Sequence, residues 1–326
     1  MSNAVLKDKR LGWVGTGRMG YALASRLLEA GCDLAVYNRT RAKAEPLAEA
    51  GATIVDSPAD LADRDIVFTM VAGPSDFEQV MCGPEGLLSR DDSVPGIVVD
   101  STTISPRGAA GVRARAAERG TQVLAAPVSG NPKVVEAGRL TIVVSGPADA
   151  YEQASAYIDV LGAGVTYVGE GERARLVKIC HNIMLGVVSQ SLAEITVLAE
   201  KGGISRADFL EFLNDSVMGS VFTRYKTPAV VNLDYTPTFT PALLLKDFDL
   251  GFEAAREHHV PMPVAAAAAE IVSGMLAGEY ADQDFMALLD LEAKAAGLDL
   301  QPEQAAVSDG LDGRADGRVA PAPAAG

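Results

Sequence analysis

Cysteine and histidine are scarce, with three of each in 326 residues. Cys32, Cys82 and Cys180 are far apart, so they make no disulfide framework and show no zinc-ligand spacing. His181, His258 and His259 are too few for a histidine-rich metal site, and no metal is expected. Basic residues are outnumbered: Lys and Arg total 28 against 43 Asp and Glu, a formal net charge of -15. A protein that neutralises a nucleic-acid backbone needs a basic face, so no nucleic-acid partner is expected. Met1 to Arg10 has no apolar core of the signal-peptide kind. No stretch is expected to reach the length of a membrane span without a polar break. These absences lead to the expectation of a cytoplasmic protein without a membrane partner. What remains is 48% hydrophobic and 22% charged, a composition with enough core for two domains.

The first half alternates short apolar runs with helical segments. Leu11 to Val14 reads as a strand, Arg18 to Ala30 as a helix and Leu34 to Tyr37 as the next strand. A helix from Arg41 to Ala50 is closed by Gly51. Ile66 to Met70, Ile97 to Val99, Val123 to Ala126, Thr141 to Val144 and Val165 to Val168 extend the series of buried strands. Such alternation predicts an α/β fold, a mainly parallel sheet with helices on both faces. The pattern changes near residue 170. From Glu172 to about Glu200 apolar residues recur at helical spacing, interrupted only by Gly186, which predicts one long interdomain helix. Helical segments follow at Arg206 to Leu213, Pro241 to Glu257, Pro263 to Leu276 and Gln283 to Ala296, and nothing there reads as a strand. The expected domains are a nucleotide-binding unit at 1–171, an all-helical unit at 172–300 and a disordered tail at 301–326, rich in Ala, Gly, Pro and Asp.

Between the first strand and first helix stands Gly15-Thr16-Gly17-Arg18-Met19-Gly20. The first glycine permits a tight turn, the second lets backbone approach a pyrophosphate, and the third lets helix and strand pack closely. The helix N-terminus then offers N–H groups to phosphate. The motif and its strand-helix context predict a Rossmann-type dinucleotide-binding domain. The end of the second strand bears on which dinucleotide. It reads Tyr37-Asn38-Arg39-Thr40-Arg41, with Lys43 nearby and no carboxylate in the place that would accept from ribose hydroxyls. Arg39 pairs readily with a 2'-phosphate, and Asn38 and Thr40 are further donors, so NADP(H) is expected over NAD(H).

Three more segments carry polar residues where such a fold opens its crevice. Asp100 to Pro106 follows a strand and includes Thr103. Ala126 to Pro132 contains a Ser129-Gly130 turn whose N–H groups, with the Ser129 hydroxyl, suit a carboxylate. Lys178 and Asn182 are four apart on the long helix and share a face, which reads either as a solvated face or as a site.

Taken in order, these pieces resemble the β-hydroxyacid dehydrogenase family, which includes 3-hydroxyisobutyrate dehydrogenases, tartronate semialdehyde reductases and glyoxylate/succinic semialdehyde reductases. The matching motifs are Gly15 to Gly20, Asn38 to Thr40, Asp100 to Pro106, Pro127 to Gly130, Lys178 to Asn182 and Lys246-Asp247, spread over residues 11 to about 300. The resemblance implies a dinucleotide domain followed by a helical domain, assembled as a homodimer or homotetramer. It implies hydride exchange between NADP(H) and a small carboxylate-bearing substrate, a β-hydroxy acid or its semialdehyde or keto acid. It implies Lys178 as catalytic acid/base and Asn182 beside it. It gives Thr103, Ser129, Gly130 and Lys246 to the substrate, and the Asn131 N–H group beside them is expected to join in. To the cofactor it gives Gly15, Thr16, Gly17, Arg18, Met19, Asn38, Arg39, Thr40, Val71, Thr103, Lys246 and Asp247.

Departures from the family pattern bear on the substrate. The common Ser-Gly-Gly is Ser129-Gly130-Asn131 here, and Asn131 is expected to add a hydrogen bond to substrate. The common Asn-Asn pair is His181-Asn182, and His181, about 100 degrees round the helix from Asn182, is expected in a structural role. Imine reductases share the architecture but commonly carry Asp or Tyr in place of the lysine. A 6-phosphogluconate-type decarboxylating enzyme would need basic residues such as Arg224, Lys226 and Arg256 for its phosphate. A nucleotide-binding module without catalysis is the remaining alternative.

Overall fold

The computed structural model describes residue 6 and residues 8–311. It divides into two compact units. The first runs to Ile183 and takes in Asp249–Pro261; the second is Met184–Phe248 with the chain from Met262 onward.

The first unit is built on six strands: β1 Arg10–Val14, β2 Asp33–Tyr37, β3 Thr53–Ile54, β4 Ile66–Thr69, β5 Ile97–Asp100 and β6 Gln122–Ala125. Their order is β3-β2-β1-β4-β5-β6, and every neighbouring pair is parallel. The connections include α1 Arg18–Glu29, α2 Glu45–Glu49, α3 Pro74–Cys82 and α4 Pro106–Glu118. Strand side chains alternate, and both faces are covered. Leu11 and Trp13 of β1 pack with Leu23 and Leu27 of α1. Val14 faces the other way, in a core with Phe77 and Met81 of α3 and Val112 and Ala116 of α4. Burial on both sides explains why β4 and β5 read as unbroken apolar runs. The chain leaves β1 toward β2 and β3, then crosses to β4, β5 and β6. The carboxyl ends of β1 and β4 are therefore a topological switch point, where folds of this kind bind ligands.

Thr141 to Val144 and Val165 to Val168 do not continue this parallel series. β7 Val128–Ser129, β8 Thr141–Val144 and β9 Gly164–Tyr167 form a second sheet, antiparallel at β7-β8 and parallel at β8-β9. The connecting helices are α5 Pro132–Glu136 and α6 Ala148–Leu161, whose Ala154 and Tyr157 join the core of β1 and α1. Pro127 follows β6 and cannot donate to a ladder, so the chain turns out of the first sheet there. The helix expected at Arg41 to Ala50 is also divided, into a 3-10 turn at Arg41–Lys43 and α2. Pro46 lies in the first turn of α2, where its missing N–H costs nothing.

α7 Arg173–Lys201 is the long helix, and its opening stretch through Ile183 packs with the first unit. By length and composition it could cross a membrane, with mean hydropathy 1.4 over its best window, but the polar break Ser189-Gln190 falls within any such window. Half of that window is buried inside the protein. The second unit adds α8 Arg206–Asp215, α9 Val221–Asn232, α10 Pro241–Glu257 (up to Phe248), α11 Pro263–Met275 and α12 Leu288–Ala295. No strand occurs among its described residues. Gly186 of α7 meets Phe248 of α10: an added Cβ would lie 2.3 Å from the ring. α9 escapes the periodicity because Pro228 lies inside it, while a Ser220/Thr223 capping box starts it.

The tail expected from residue 301 does not begin there. Gln301 to Leu311 is irregular chain bound to the second unit. Glu303 accepts from the N–H groups of Arg206 and Ala207 at 2.6 and 3.0 Å, and the Arg206 guanidinium donates to the Gln301 carbonyl at 2.5 Å. Hydrogen bonds rather than an apolar face hold the segment, which is why hydropathy misses it. Residues 312–326 lie outside the described residues.

Candidate active site

The glycine loop is shaped by three different constraints. Gly15 has φ +96°, and a Cβ there would lie 2.2 Å from the Met70 carbonyl. At Gly20 a Cβ would lie 1.9 Å from the Gly15 carbonyl. At Gly17, by contrast, nothing lies within 4 Å of an added Cβ. The buried Trp13 indole donates to the Gly15 carbonyl at 2.8 Å and stacks on Phe68, which fixes the turn from below. Met19 packs partly buried on the same core. α1 starts at Arg18 with no side-chain cap and no acidic residue in its first turn. Thr16 is 3% exposed, and its Oγ1 has no hydrogen-bond partner in the protein. An open backbone approach, an uncapped helix N-terminus and an orphaned buried hydroxyl together fit a dinucleotide diphosphate.

At the end of β2, Asn38 is engaged within its own loop. Its Oδ1 accepts from the Thr16 N–H at 2.8 Å, and its Nδ2 donates to the Thr40 carbonyl at 2.9 Å. Asn38 thus ties the glycine loop to the β2 loop. Arg39 is 84% exposed, 3.1 Å from Asp76, and Arg41 pairs with Asp56 at 2.5 Å. Exposed pairs of this kind are worth about 0–1 kcal/mol, so they offer an anion little resistance.

The ends of β4 and β5 are bound to the start of α7 by a buried network. Asp100 Oδ1 accepts from Thr69 Oγ1 and Thr102 Oγ1, each at 2.7 Å. Thr102 Oγ1 in turn accepts from the Val71 N–H at 3.2 Å. Arg175, 1% exposed, lies 2.8 Å from Asp100, pairs with Glu172 and donates to the Thr102 carbonyl at 3.0 Å. Val71 and half-buried Thr103 are thereby held on one scaffold with the helix that carries Lys178, less than one turn after Arg175. The sequence reading missed Arg175. Its one signal was a charged residue among apolar neighbours at the head of α7.

Ser129 and Gly130 stand at the end of β7. Gly130 has φ +145°, and an added Cβ would press on Val134 and Leu140 at 2.8 and 2.9 Å. Asn131 caps α5, its Oδ1 accepting from the Val134 N–H at 3.1 Å. Ser129 Oγ is 2.9 Å from His181 Nε2, and His181 Nδ1 is 2.9 Å from Asn182 Oδ1. His181 is therefore joined to the substrate loop. Partial desolvation of its ring lowers its pKa, and the nearby Lys178 charge lowers it further, although the residue as a whole is exposed. Ser129, Lys178, His181 and Asn182 all belong to the first unit.

Lys246 and Asp247 belong to α10 in the second unit, 3.8 Å apart, with Asp247 buried. Lys226, one of the cations a 6-phosphogluconate-type site would use, is buried against Asp284 at 2.6 Å and over the Phe285 ring. No cluster of metal-ligating side chains occurs among the described residues.

Residues 10–169 match the family described as NAD binding domain of 6-phosphogluconate dehydrogenase. Residues 172–291 match NAD-binding of NADP-dependent 3-hydroxyisobutyrate dehydrogenase. Glyoxylate/succinic semialdehyde reductase 2 of Arabidopsis thaliana is 30% identical, over 86% of this chain and 78% of that protein. A probable 3-hydroxyisobutyrate dehydrogenase-like protein of the same plant is 34% identical over 82% of each chain. The crystal structure of 3-hydroxyisobutyrate dehydrogenase from Salmonella typhimurium superimposes with a TM-score of 0.78 at 25% identity, covering 87% of this chain and all of that one.

Proposed function

Because the chain belongs to the β-hydroxyacid dehydrogenase family and is a nicotinamide-dependent oxidoreductase, we propose that it interconverts a small β-hydroxy acid and its semialdehyde or keto acid with NADP(H), using Lys178 as acid and base. The observation that carries this reading is the junction of Ser129 with the Lys178 helix through His181 and Asn182. When bound, the nicotinamide supplies or accepts the hydride. The Lys178 ammonium gives its proton to the carbonyl oxygen as negative charge develops there. In the reverse direction the neutral amine takes the alcohol proton, so oxidation is favoured at alkaline pH. The Ser129, Gly130 and Asn131 N–H groups take the substrate carboxylate and fix which face of the carbonyl meets the hydride. Thr16, Gly17 and Arg18 take the diphosphate, and exposed Arg39 with Thr40 supports NADP(H) over NAD(H). Lys246 and Asp247 are assigned to cofactor and substrate by their match to the family motif.

We propose further that the protein is cytoplasmic, where its three unpaired thiols suit a reducing compartment. Assembly as a homodimer or homotetramer completes the reading. The test is initial rates with NADPH and NADH on glyoxylate and on succinic, methylmalonate and tartronate semialdehydes, for wild type and Lys178→Ala. Wild type should turn over at least one acid, faster with NADPH. Lys178→Ala should bind the dinucleotide normally and turn over roughly a hundredfold more slowly or worse. Near-normal turnover in the variant would remove Lys178 from this role.

A further inference from the structure

Both arginines that follow β2 lie against carboxylates from elsewhere in the first unit. Arg41 pairs with Asp56, just after β3, and Arg39 pairs with Asp76, 37 residues away. The second pair spans more of the fold. The sheet order puts β1 between β2 and β4. Arg39 follows β2, and Asp76 stands on the first turn of α3, after β4. Their contact at 3.1 Å therefore bridges the switch point from one side of β1 to the other.

The partners are held unequally. Pro74 starts α3, and Phe77, next to Asp76, is fully buried, so the carboxylate is carried on a fixed element. Arg39 is a long side chain on a loop and is mostly in solvent. An arriving phosphate draws Arg39 away and leaves Asp76 where it stands. The pair itself is cheap to break. The carboxylate left behind still acts on the ligand. It repels a 2'-phosphate and accepts from a ribose hydroxyl, the part that an acidic residue after β2 plays in an NAD site. This chain has no acidic residue there, since the segment reads Asn38-Arg39-Thr40.

We propose that Asp76 sets the cofactor preference from outside the usual position. Delivered by α3 to the 2' end of the adenosine, it accepts from the ribose hydroxyl of NAD(H) and repels the extra phosphate of NADP(H). The protein therefore binds both dinucleotides and favours NADP(H) only modestly. Arg39 serves the phosphate and Asp76 the hydroxyl, each at the other's expense. The inference rests on the dinucleotide reading above and deepens it.

The test is the dissociation constants of NADPH and NADH, by isothermal titration of the full chain with no acid present, at low ionic strength where surface charges are least screened. Wild type should favour NADPH by less than about thirtyfold. Asp76→Asn removes the charge at the same size. It should tighten NADPH and weaken NADH, widening the ratio roughly fivefold or more. Asp76→Glu keeps the charge and should keep the wild-type ratio. A merely structural Asp76 would instead weaken both dinucleotides together. Asp56→Asn, which releases Arg41, should leave NADH affinity alone. Should Asp76→Asn fail to fold, Arg39→Ala decides: with its competitor gone, Asp76 should hold NADH at least as tightly as in wild type, while NADPH weakens about tenfold or more. A larger wild-type preference, an unchanged ratio in Asp76→Asn, equal losses of NADH in Asp56→Asn and Asp76→Asn, or weaker NADH binding in Arg39→Ala overturns the inference. Failure of wild type to bind either dinucleotide overturns the dinucleotide reading itself and this inference with it.

Discussion

Arg175 shows how one buried charge places a reactive neighbour. Its guanidinium answers two carboxylates and a carbonyl, so removing it leaves buried Asp100 without a countercharge, while Glu172 keeps only Arg113. Arg175→Leu should cost roughly 3–5 kcal/mol in urea unfolding, and adding Asp100→Asn should recover part of it. A cost below about 1 kcal/mol would mean the pair is not closed in solution. Asp284 works by the same principle in the second unit. Burial alone would raise its pKa, but Lys226 and the Thr238 hydroxyl outweigh it and hold the carboxyl below 3.8. A lowered folded pKa gives stability that is complete above 3.8 and lost as pH falls through the folded value. Asp284→Asn should flatten that acid loss in denaturation curves run from about pH 5 downward. Neither residue was legible as a keystone. A single charged letter in an apolar helix looks the same whether its partners lie in solvent or across the fold.

Elements were legible in proportion to their length and regularity. The glycine loop was readable because strand, spacing and helix all agree, and the structure surrounds its three glycines differently. Gly17 and Gly15 should therefore fail differently. Gly17→Ala has room and φ -65°, so its melting temperature should hold while dinucleotide binding weakens about tenfold or more. Gly15→Ala should lose stability, because backbone stands where its methyl would go. Isothermal titration beside thermal melts separates the two, and equal melting losses would refute the distinction. β3 and β7, two residues each, are too short for any period to show. Asn131 was visible as a departure but not as a cap, since its use depends on α5, which a five-residue stretch hardly announces. His181 was set aside on helical angle alone, and the angle said nothing of where β7 would bring Ser129.

At the scale of the molecule, the second unit keeps large apolar side chains in the open. Leu198 and Phe212 are each 73% exposed. Isolated exposed apolar residues are ordinary, but several on one helical unit suit self-association. Sedimentation should find wild type as a dimer or larger. Leu198→Ser with Phe212→Ser should shift it toward the monomer; an unchanged distribution would place the interface elsewhere. The two-part plan of the chain was plain in the change of periodicity near residue 170. The bound segment at Gln301 to Leu311 was not, because its hold is polar. That segment also sets a timetable. The six-stranded sheet has its last strand once Ala125 has been made, whereas Arg206 waits for Gln301 and Glu303, almost a hundred residues later. On the ribosome the sheet forms early, while α8 stays without its final partners until synthesis is nearly done, and a nascent chain cut short before Gln301 leaves a buried guanidinium short of them.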